Sequence, residues 1–132
     1  MTNEEAAWLA GIVDGEGSIV VAYRGSSRIG MSLSVANTDQ ALIDKCHQIA
    51  ECGSISDAAP RDATRKKQWQ WQVHCHQAKG IINRILPYMV ETDKRRRAAL
   101  ALEFPCGERR KYVTEDMKRH RQQLRKAIMG RP

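Results

Sequence analysis

Two carboxylates, Asp14 and Glu16, stand among Gly11, Gly15 and Gly17 where a helical apolar pattern runs out. Acids at a helix C-terminus face the negative end of its dipole, which costs about 0.3–1 kcal/mol each. A compensating charge is expected there, and a bound cation is the natural candidate. The small residues Ala10, Gly11 and Gly15 leave room for a second helix to approach closely, setting two acidic ends side by side. The simpler reading of the same residues is an acidic loop behind a glycine stop.

The elements that position these acids follow from the pattern. Thr2 and Glu5 have capping-box spacing, Glu4 and Glu5 fall in the favoured first turn, and AAWLAGIVD continues the helix until Gly15 and Gly17 break it. Strands are predicted over Ser18 to Arg24 and Arg28 to Asn37, joined by a turn at Gly25-Ser26-Ser27. Asn37-Thr38-Asp39 offers caps for a helix over Gln40 to Glu51, which Gly53 ends. Then come a short strand at Ser54 to Ala58, a polar loop at Pro60 to Arg65, and a strand at Lys67 to Cys75. Helices are predicted over Gln77 to Leu86, Lys94 to Glu103, and from a Thr114 cap to Met129. The sum is an α+β domain of pattern αββαββα with additional C-terminal helices.

At 132 residues the chain suits one domain, a core over about 3–104 and a basic helical extension over 105–132. Hydrophobic residues at 42% support a packed core, and aromatics at 5% leave that core to aliphatic side chains. No apolar run reaches the roughly 20 residues a membrane span needs. The opening MTNEEAAW carries acids where a signal peptide carries bases, so no secretory segment is expected. Cys46, Cys52, Cys75 and Cys106 form no CxxC pair and read as reduced thiols of an intracellular protein. His74 and His76 would share a strand face without a third ligand, which suits a surface or DNA-facing pair better than a metal site.

Charge is uneven. Residues 1–93 hold 9 Lys/Arg against 11 Asp/Glu, a balance of −2, while residues 94–132 hold 13 against 4, a balance of +9. A basic C-terminal third suggests a polyanion, nucleic acid first, with the Lys118-to-Lys126 cluster clamping phosphates. The strands sharpen this. Ile29, Met31, Leu33 and Val35 alternate with Arg28, Gly30, Ser32 and Ser34; Trp69, Trp71, Val73 and Cys75 alternate with Gln68, Gln70, Gln72 and His74. One face is apolar and the other carries the amides, hydroxyls and Arg that read base edges in the major groove. A strand of about eight residues spans roughly 26 Å, or about seven to eight base pairs.

The string Leu9-Ala10-Gly11-Ile12-Val13-Asp14-Gly15-Glu16-Gly17 resembles the LAGLIDADG motif of homing endonucleases. Trp8, Ser18-Ile19, Val35-Ala36-Asn37-Thr38-Asp39, Leu86-Pro87-Tyr88-Met89 and the Lys94-to-Phe104 helix are similar to that family too. With a single motif the chain resembles the homodimeric branch. The resemblance implies the αββαββα core with a saddle-shaped antiparallel sheet, a helix interface built on Ala10, Gly11, Asp14 and Gly15, and Glu16 as metal ligand aided by the Gly15 carbonyl. It implies Mg²⁺, with Mn²⁺ able to substitute, and a long pseudo-palindromic duplex cut across the minor groove to leave 3′ overhangs. Asp14 then supports the helix end and the interface, with a smaller catalytic role.

The family's water-positioning polar residue falls on Asn37, whose simpler role is a cap for the next helix. Its basic residue falls on Lys94 when aligned from the helix and on Thr92 when counted from Pro87, with Arg95 or Arg96 as substitutes. The DNA contacts expected on the sheet face are Arg24, Arg28, Ser32, Ser34, Gln68, Gln70, Gln72 and His74, with Val20 and Ala22 meeting thymine methyls. On loops they are Ser26, Ser27, Arg61, Arg65 and Lys66. An intron-RNA maturase and a non-catalytic DNA-binding regulator are the alternatives on the same fold. The expected location is inside the cell, in a prokaryotic cytoplasm or an organelle.

Overall fold

The computed structural model describes residues 1–24, 28–58, 62–107 and 113–130. Five helices and four strands follow one another as α1 (Asn3–Glu16), β1 (Gly17–Arg24), β2 (Arg28–Asn37), α2 (Gln40–Ala50), β3 (Ser54–Ala58), β4 (Gln68–His74), α3 (Cys75–Ile85), a 3₁₀ turn at Leu86–Tyr88, α4 (Thr92–Ala101) and α5 (Glu115–Met129). The strands form one antiparallel sheet in the order β1-β2-β4-β3. The α+β pattern expected from the sequence is the one found. No described helix is long and apolar enough to cross a membrane.

Alternation in the strands puts Ile19, Val21, Met31, Leu33, Val35, Trp71 and Val73 on one buried face. Helices cover it with Leu9 and Val13 from α1, Ile43 from α2, Ile82 and Ile85 from α3, and Ile128 from α5. Each fully buried aliphatic side chain contributes about 1.5–3 kcal/mol. The Thr2 hydroxyl accepts from Glu5 N at 3.1 Å while Glu5 Oε1 accepts from Thr2 N at 2.9 Å, so the capping box forms as the sequence required.

Three boundaries differ from expectation. α1 does not stop at Gly15; it runs to Glu16 and passes directly into β1. An interior glycine weakens a helix by only about 1 kcal/mol, which the packing of Leu9, Ala10 and Val13 exceeds. Gly17 is where glycine is required: a Cβ there would lie 2.7 Å from Val13 Cα and 2.8 Å from Val13 O. α3 begins at Cys75, so His76 is helical and does not share a strand face with His74. α4 begins at Thr92 rather than Lys94, because the Glu91 carboxylate accepts from Lys94 N at 2.6 Å. Glutamate is not among the favoured N-caps, so no local pattern marks this start.

The basic C-terminal helix is also more structural than its charge implied. α5 turns Arg121, Leu124 and Ile128 inward. Arg125 lies over the Tyr23 ring at 5.0 Å, on the same alternation of β1 as Ile19 and Val21, so α5 packs on the helix-covered side of the sheet. From α4, Arg96 donates to Ala127 O at 2.6 Å and Gly130 O at 3.2 Å, closing the last turn of α5. On its outer side Lys118 pairs with Glu115 and Arg119 with Asp116. Much of the cluster expected to clamp phosphate is therefore engaged within the chain.

Candidate functional site

The acidic end of α1 is where several elements meet. Asp14 is not free: its carboxylate accepts from Val90 N at 2.9 Å and Glu91 N at 3.3 Å, anchoring the segment that leads into α4. Lys94 then returns from α4 to donate its ammonium to the Asp14 carbonyl at 2.9 Å. A positive charge on an open carbonyl of the last turn is what the helix dipole requires. The compensating cation expected at this helix end is thus, in the isolated chain, the Lys94 side chain. Of the basic residues considered, Lys94 alone reaches the motif in the described contacts; Arg96 is spent on Asp93 and on α5.

Glu16 is different. It is exposed, and its carboxylate takes no hydrogen bond or ion pair from the other described residues. Gly17 pairs with Val35, so Ala36 and Asn37 continue β2 past the last β1 pair, beside the end of α1. Asn37 Oδ1 accepts from Asp39 N at 2.8 Å, and Asp39 in turn caps α2 through Ala41 N at 3.0 Å. Asp39, not Asn37, is therefore the cap of α2; Asn37 makes the turn that precedes it, and its amide NH₂ is left to point elsewhere.

No group of three His, Cys, Asp or Glu gathers to hold a metal among the described residues. Glu16 with the Gly15 carbonyl is an all-oxygen pair, the donor chemistry of Mg²⁺, which keeps several waters and takes only one or two carboxylates. The residues fit such an ion as a partial set, short of a closed cage.

The surface of α1 corrects one expected interface position. Ala10 is fully buried in this chain's own core with Ala6, Leu9 and Val13, one face of a helix at i, i+3, i+4 and i+7. The outward strip is instead Ala7, Gly11 and Gly15, flanked by half-buried Trp8 and Ile12. A Cβ at Gly11 or Gly15 would meet nothing within 4 Å.

On the sheet face away from the helices, register joins the polar residues across strands. Ser32 pairs with Val20 and His74, Ser34 with Ser18 and Gln72, and Gln70 with Ala36 and Ser56. β2 thus contributes a row of small residues, Gly30, Ser32, Ser34 and Ala36, which continues onto Ala22, Val20 and Ser18 of β1 and is flanked by the longer His74, Gln72 and Gln70 of β4. Ser32 and Ser34 are only 8% exposed, so they lie low in that row rather than stand out as reading positions. Arg28 and Gln68 are exposed; Gln70, Gln72 and His74 are half-buried.

Arg24 is exposed and lies across Gly30, where a Cβ would come within 3.0 Å of its Nε, and its guanidinium meets the His74 ring. Arg24 also pairs directly with Arg28. Like charges opposite one another are unfavourable in a sheet, and an anion between them removes that cost. The single acid of the four strands, Asp57, is on the other face, paired with Lys67 at 2.9 Å. Lys66 and Arg65 are exposed on the β3–β4 loop. Ser26, Ser27 and Arg61 lie outside the described residues.

Sequence reasoning missed the anchoring of Asp14 on Val90 and Glu91, because no local pattern reports a bond between positions so far apart. It also missed the inward turn of Arg121, whose i+3 and i+7 partners Leu124 and Ile128 were the available signal.

No protein-family model and no curated protein matches the chain. Solved structures do. The homing endonuclease I-CvuI, in complex with its target in the presence of calcium, superposes with a TM-score of 0.62 at 20% identity, over 92% of this chain and 95% of that one. The archaeal intron-encoded homing endonuclease I-Vdi141I, complexed with DNA, gives 0.63 at 12% identity, over 92% and 97%. The LAGLIDADG homing endonuclease I-SmaMI, bound to uncleavable DNA, gives 0.67 at 17% identity; the match spans 96% of this chain and 44% of that protein. The chain has the fold of the LAGLIDADG homing endonucleases.

Proposed function

We propose that this chain, having the fold of the LAGLIDADG homing endonucleases, is one half of a homodimeric endonuclease that cuts double-stranded DNA at a long pseudo-palindromic site. The observation that carries the reading is the joint between α1 and β1. A carboxylate with no partner among the described residues, Glu16, stands one residue from a sheet whose outer face bears Arg, Gln, Ser and His without an acid. The solved structures of like fold were determined with DNA, which agrees with it.

In this mechanism Glu16 and the Gly15 carbonyl would hold one side of a divalent ion, Mg²⁺ by preference and Mn²⁺ as substitute. A bound ion of that kind supplies an activated water and neutralises charge on the leaving oxygen. The Asn37 amide, oriented through Asp39 N, orients water at the end of β2. Lys94 keeps a positive charge at the motif end, where the phosphate charge builds up. Asp14 fixes the segment carrying Lys94, and its catalytic role is the smaller of the two acids'. A second copy packs its strip of Ala7, Gly11 and Gly15 against the first, so that two Glu16 carboxylates serve the two strands and leave 3′ overhangs. The sheet faces read the half-sites, Arg24, Gln70, Gln72 and His74 from the flanks of the β2 row.

The test is a cleavage selection on randomised pseudo-palindromic duplexes, in Mg²⁺ and in Ca²⁺, with native mass spectrometry of the bound product. Two chains per duplex and 3′-extended ends produced in Mg²⁺ are expected. One chain per duplex would overturn the dimer. Binding without cutting would favour the regulator, and tight intron-RNA binding in place of DNA would favour the maturase. Lys94→Met is expected to slow cleavage about 10- to 100-fold with DNA binding retained, the range typical of outer-shell partners. Lys94→Arg should recover part of it, whereas equal rates in all three would remove Lys94 from the site.

A further inference from the structure

One side chain on the outer sheet face is held in a set pose. Gly17 opens β1 beside Glu16, and Arg24 closes it at the far end of the sheet. The register partner of Arg24 on β2 is Arg28, and both are exposed. Like charges directly opposite one another repel, which turns the Arg24 head away from Arg28. The direction it takes is back along the sheet, across Gly30 and toward His74.

Two residues make that pose available. Gly30 pairs with Ala22, one alternation inward from the Arg24–Arg28 pair. A Cβ added at Gly30 would lie 3.0 Å from Arg24 Nε, 3.1 Å from its Cδ and 3.7 Å from its Cγ, so the Arg24 stem fills the space that a larger residue would take. His74 receives the other end. Arg24 Nη2 reaches both ring nitrogens, Nδ1 and, at 3.1 Å, Nε2, and a ring nitrogen without a proton accepts from a guanidinium. His74 pairs with Ser32, the next alternation inward from Gly30, so Arg24 spans from β1 over β2 to β4. Asp57, the one acid of the four strands, is on the opposite face, and no carboxylate of the sheet competes for the guanidinium.

This pose determines what the arginine can read. A guanidinium carries five N–H donors in a planar fork, and His74 occupies one side of it. The remaining donors match the O6 and N7 acceptors that guanine shows in the major groove, whereas adenine sets an amino group where O6 would be. Fixing a long side chain before DNA arrives also lowers the ordering cost of the contact. The register follows from the same geometry. Arg24 is seven residues beyond Gly17 on β1, but Gly30 lies opposite Ala22, only five beyond it. At ~3.3 Å per residue and ~3.4 Å per base pair, the head stands over about the fifth base pair from the Glu16 end of the sheet, not about the seventh.

Resting on the endonuclease reading and deepening it, the geometry points to Arg24 as the residue that reads a guanine about five base pairs outward in each half-site, with Gly30 and His74 as its positioning residues. His74 contributes to readout through Arg24, and Gly30 contributes by having no side chain.

The experiment selects randomised duplexes by binding to the full chain in Ca²⁺ and sequences them for the parent, Arg24→Ala, Gly30→Val, His74→Leu and His74→Gln. The parent half-site is expected to show guanine about five base pairs out, preferred about 10-fold or more over the other bases. Arg24→Ala should flatten that position and leave the others; Arg24 is exposed, so its truncation spares the fold. Gly30→Val, which displaces Arg24, should move the guanine about two base pairs outward or erase it. His74→Leu should erase it too, and His74→Gln, whose amide oxygen still accepts, should retain it. A guanine preference that survives Arg24→Ala would overturn the inference while DNA recognition stands. So would an equal loss at every position, the mark of a phosphate contact. A preference lost in Arg24→Ala but untouched by both Gly30→Val and His74→Leu would overturn the two positioning roles. If the parent chain enriches no duplex, the endonuclease reading falls and takes this inference with it.

Discussion

Glu16→Gln is expected to abolish DNA cleavage while leaving binding of the same duplex within a few-fold of the parent. Glutamine keeps the size of the side chain and loses the negative charge, so under the proposed reading a hard divalent cation would lose its anionic ligand from that chain. The expected loss exceeds the ~10–100-fold typical of removing an outer-shell partner. Folding should not suffer, because Glu16 is exposed and takes no bond from the other described residues. Thermal melting should hold or rise slightly, since a charge opposing the helix dipole has gone. Matched cleavage and binding assays on one selected duplex decide it; cutting at the parental rate would remove Glu16 from the site. Asp14→Asn is the informative companion. Its carboxylate holds Val90 N and Glu91 N, so that variant should lose stability as well as activity.

Gly53→Ala carries the largest expected loss of stability. Gly53 has φ at +93°, where an L side chain is strained, and its absent Cβ is hemmed in on all sides. A methyl there would come within 2.6 Å of Val73 Cγ1 and 2.7 Å of both Gln72 O and Trp71 Nε1. None of these is a flexible side-chain end. Trp71 is fully buried and already donates its indole N–H to Cys52 O at 2.9 Å. Backbone strain and overpacking together should cost about 3 kcal/mol or more, a fall in Tm of about 10 °C. Gly80→Ala is the control of opposite sign. Gly80 lies exposed within α3 with nothing within 4 Å of a Cβ, so alanine should stabilise by about 0.5–1 kcal/mol. Equal melting of the two variants would contradict both assignments.

Much of the frame was legible because its causes are local. The Thr2–Glu5 box, the alternation through β2 and β4, and the Asp39 cap each rest on residues a few positions apart. The acid-free sheet face was legible for the same reason. What the sequence did not disclose depends on packing between distant segments. Ala10 looks like Gly11 in a string of small residues, yet one is sealed in the core and the other is open. Lys94 could not be placed by counting from Pro87, since Glu91 starts its helix two residues early and brings the ammonium onto Asp14 O. Ser32 and Ser34 alternate correctly onto the polar face, but on a central strand they are covered by the longer His74 and Gln72 beside them. Arg121 reads as charge in a basic tract and is instead a packing residue over the Phe104 ring at 5.4 Å.

The direct passage of α1 into β1 has a further consequence. Glu16 ends the helix, Gly17 opens the strand, and the Gly17 N–H is bonded back to Val13 O, so no slack separates the two elements. Under the proposed reading, a duplex that seats badly in the groove tilts the sheet, and the carboxylate swings with it as the short arm of a lever. Fidelity is then mechanical. A loosely tethered acid would tolerate many bound poses and cut in most of them; one welded to the reading surface reaches its phosphate only when the fit along the whole half-site is correct.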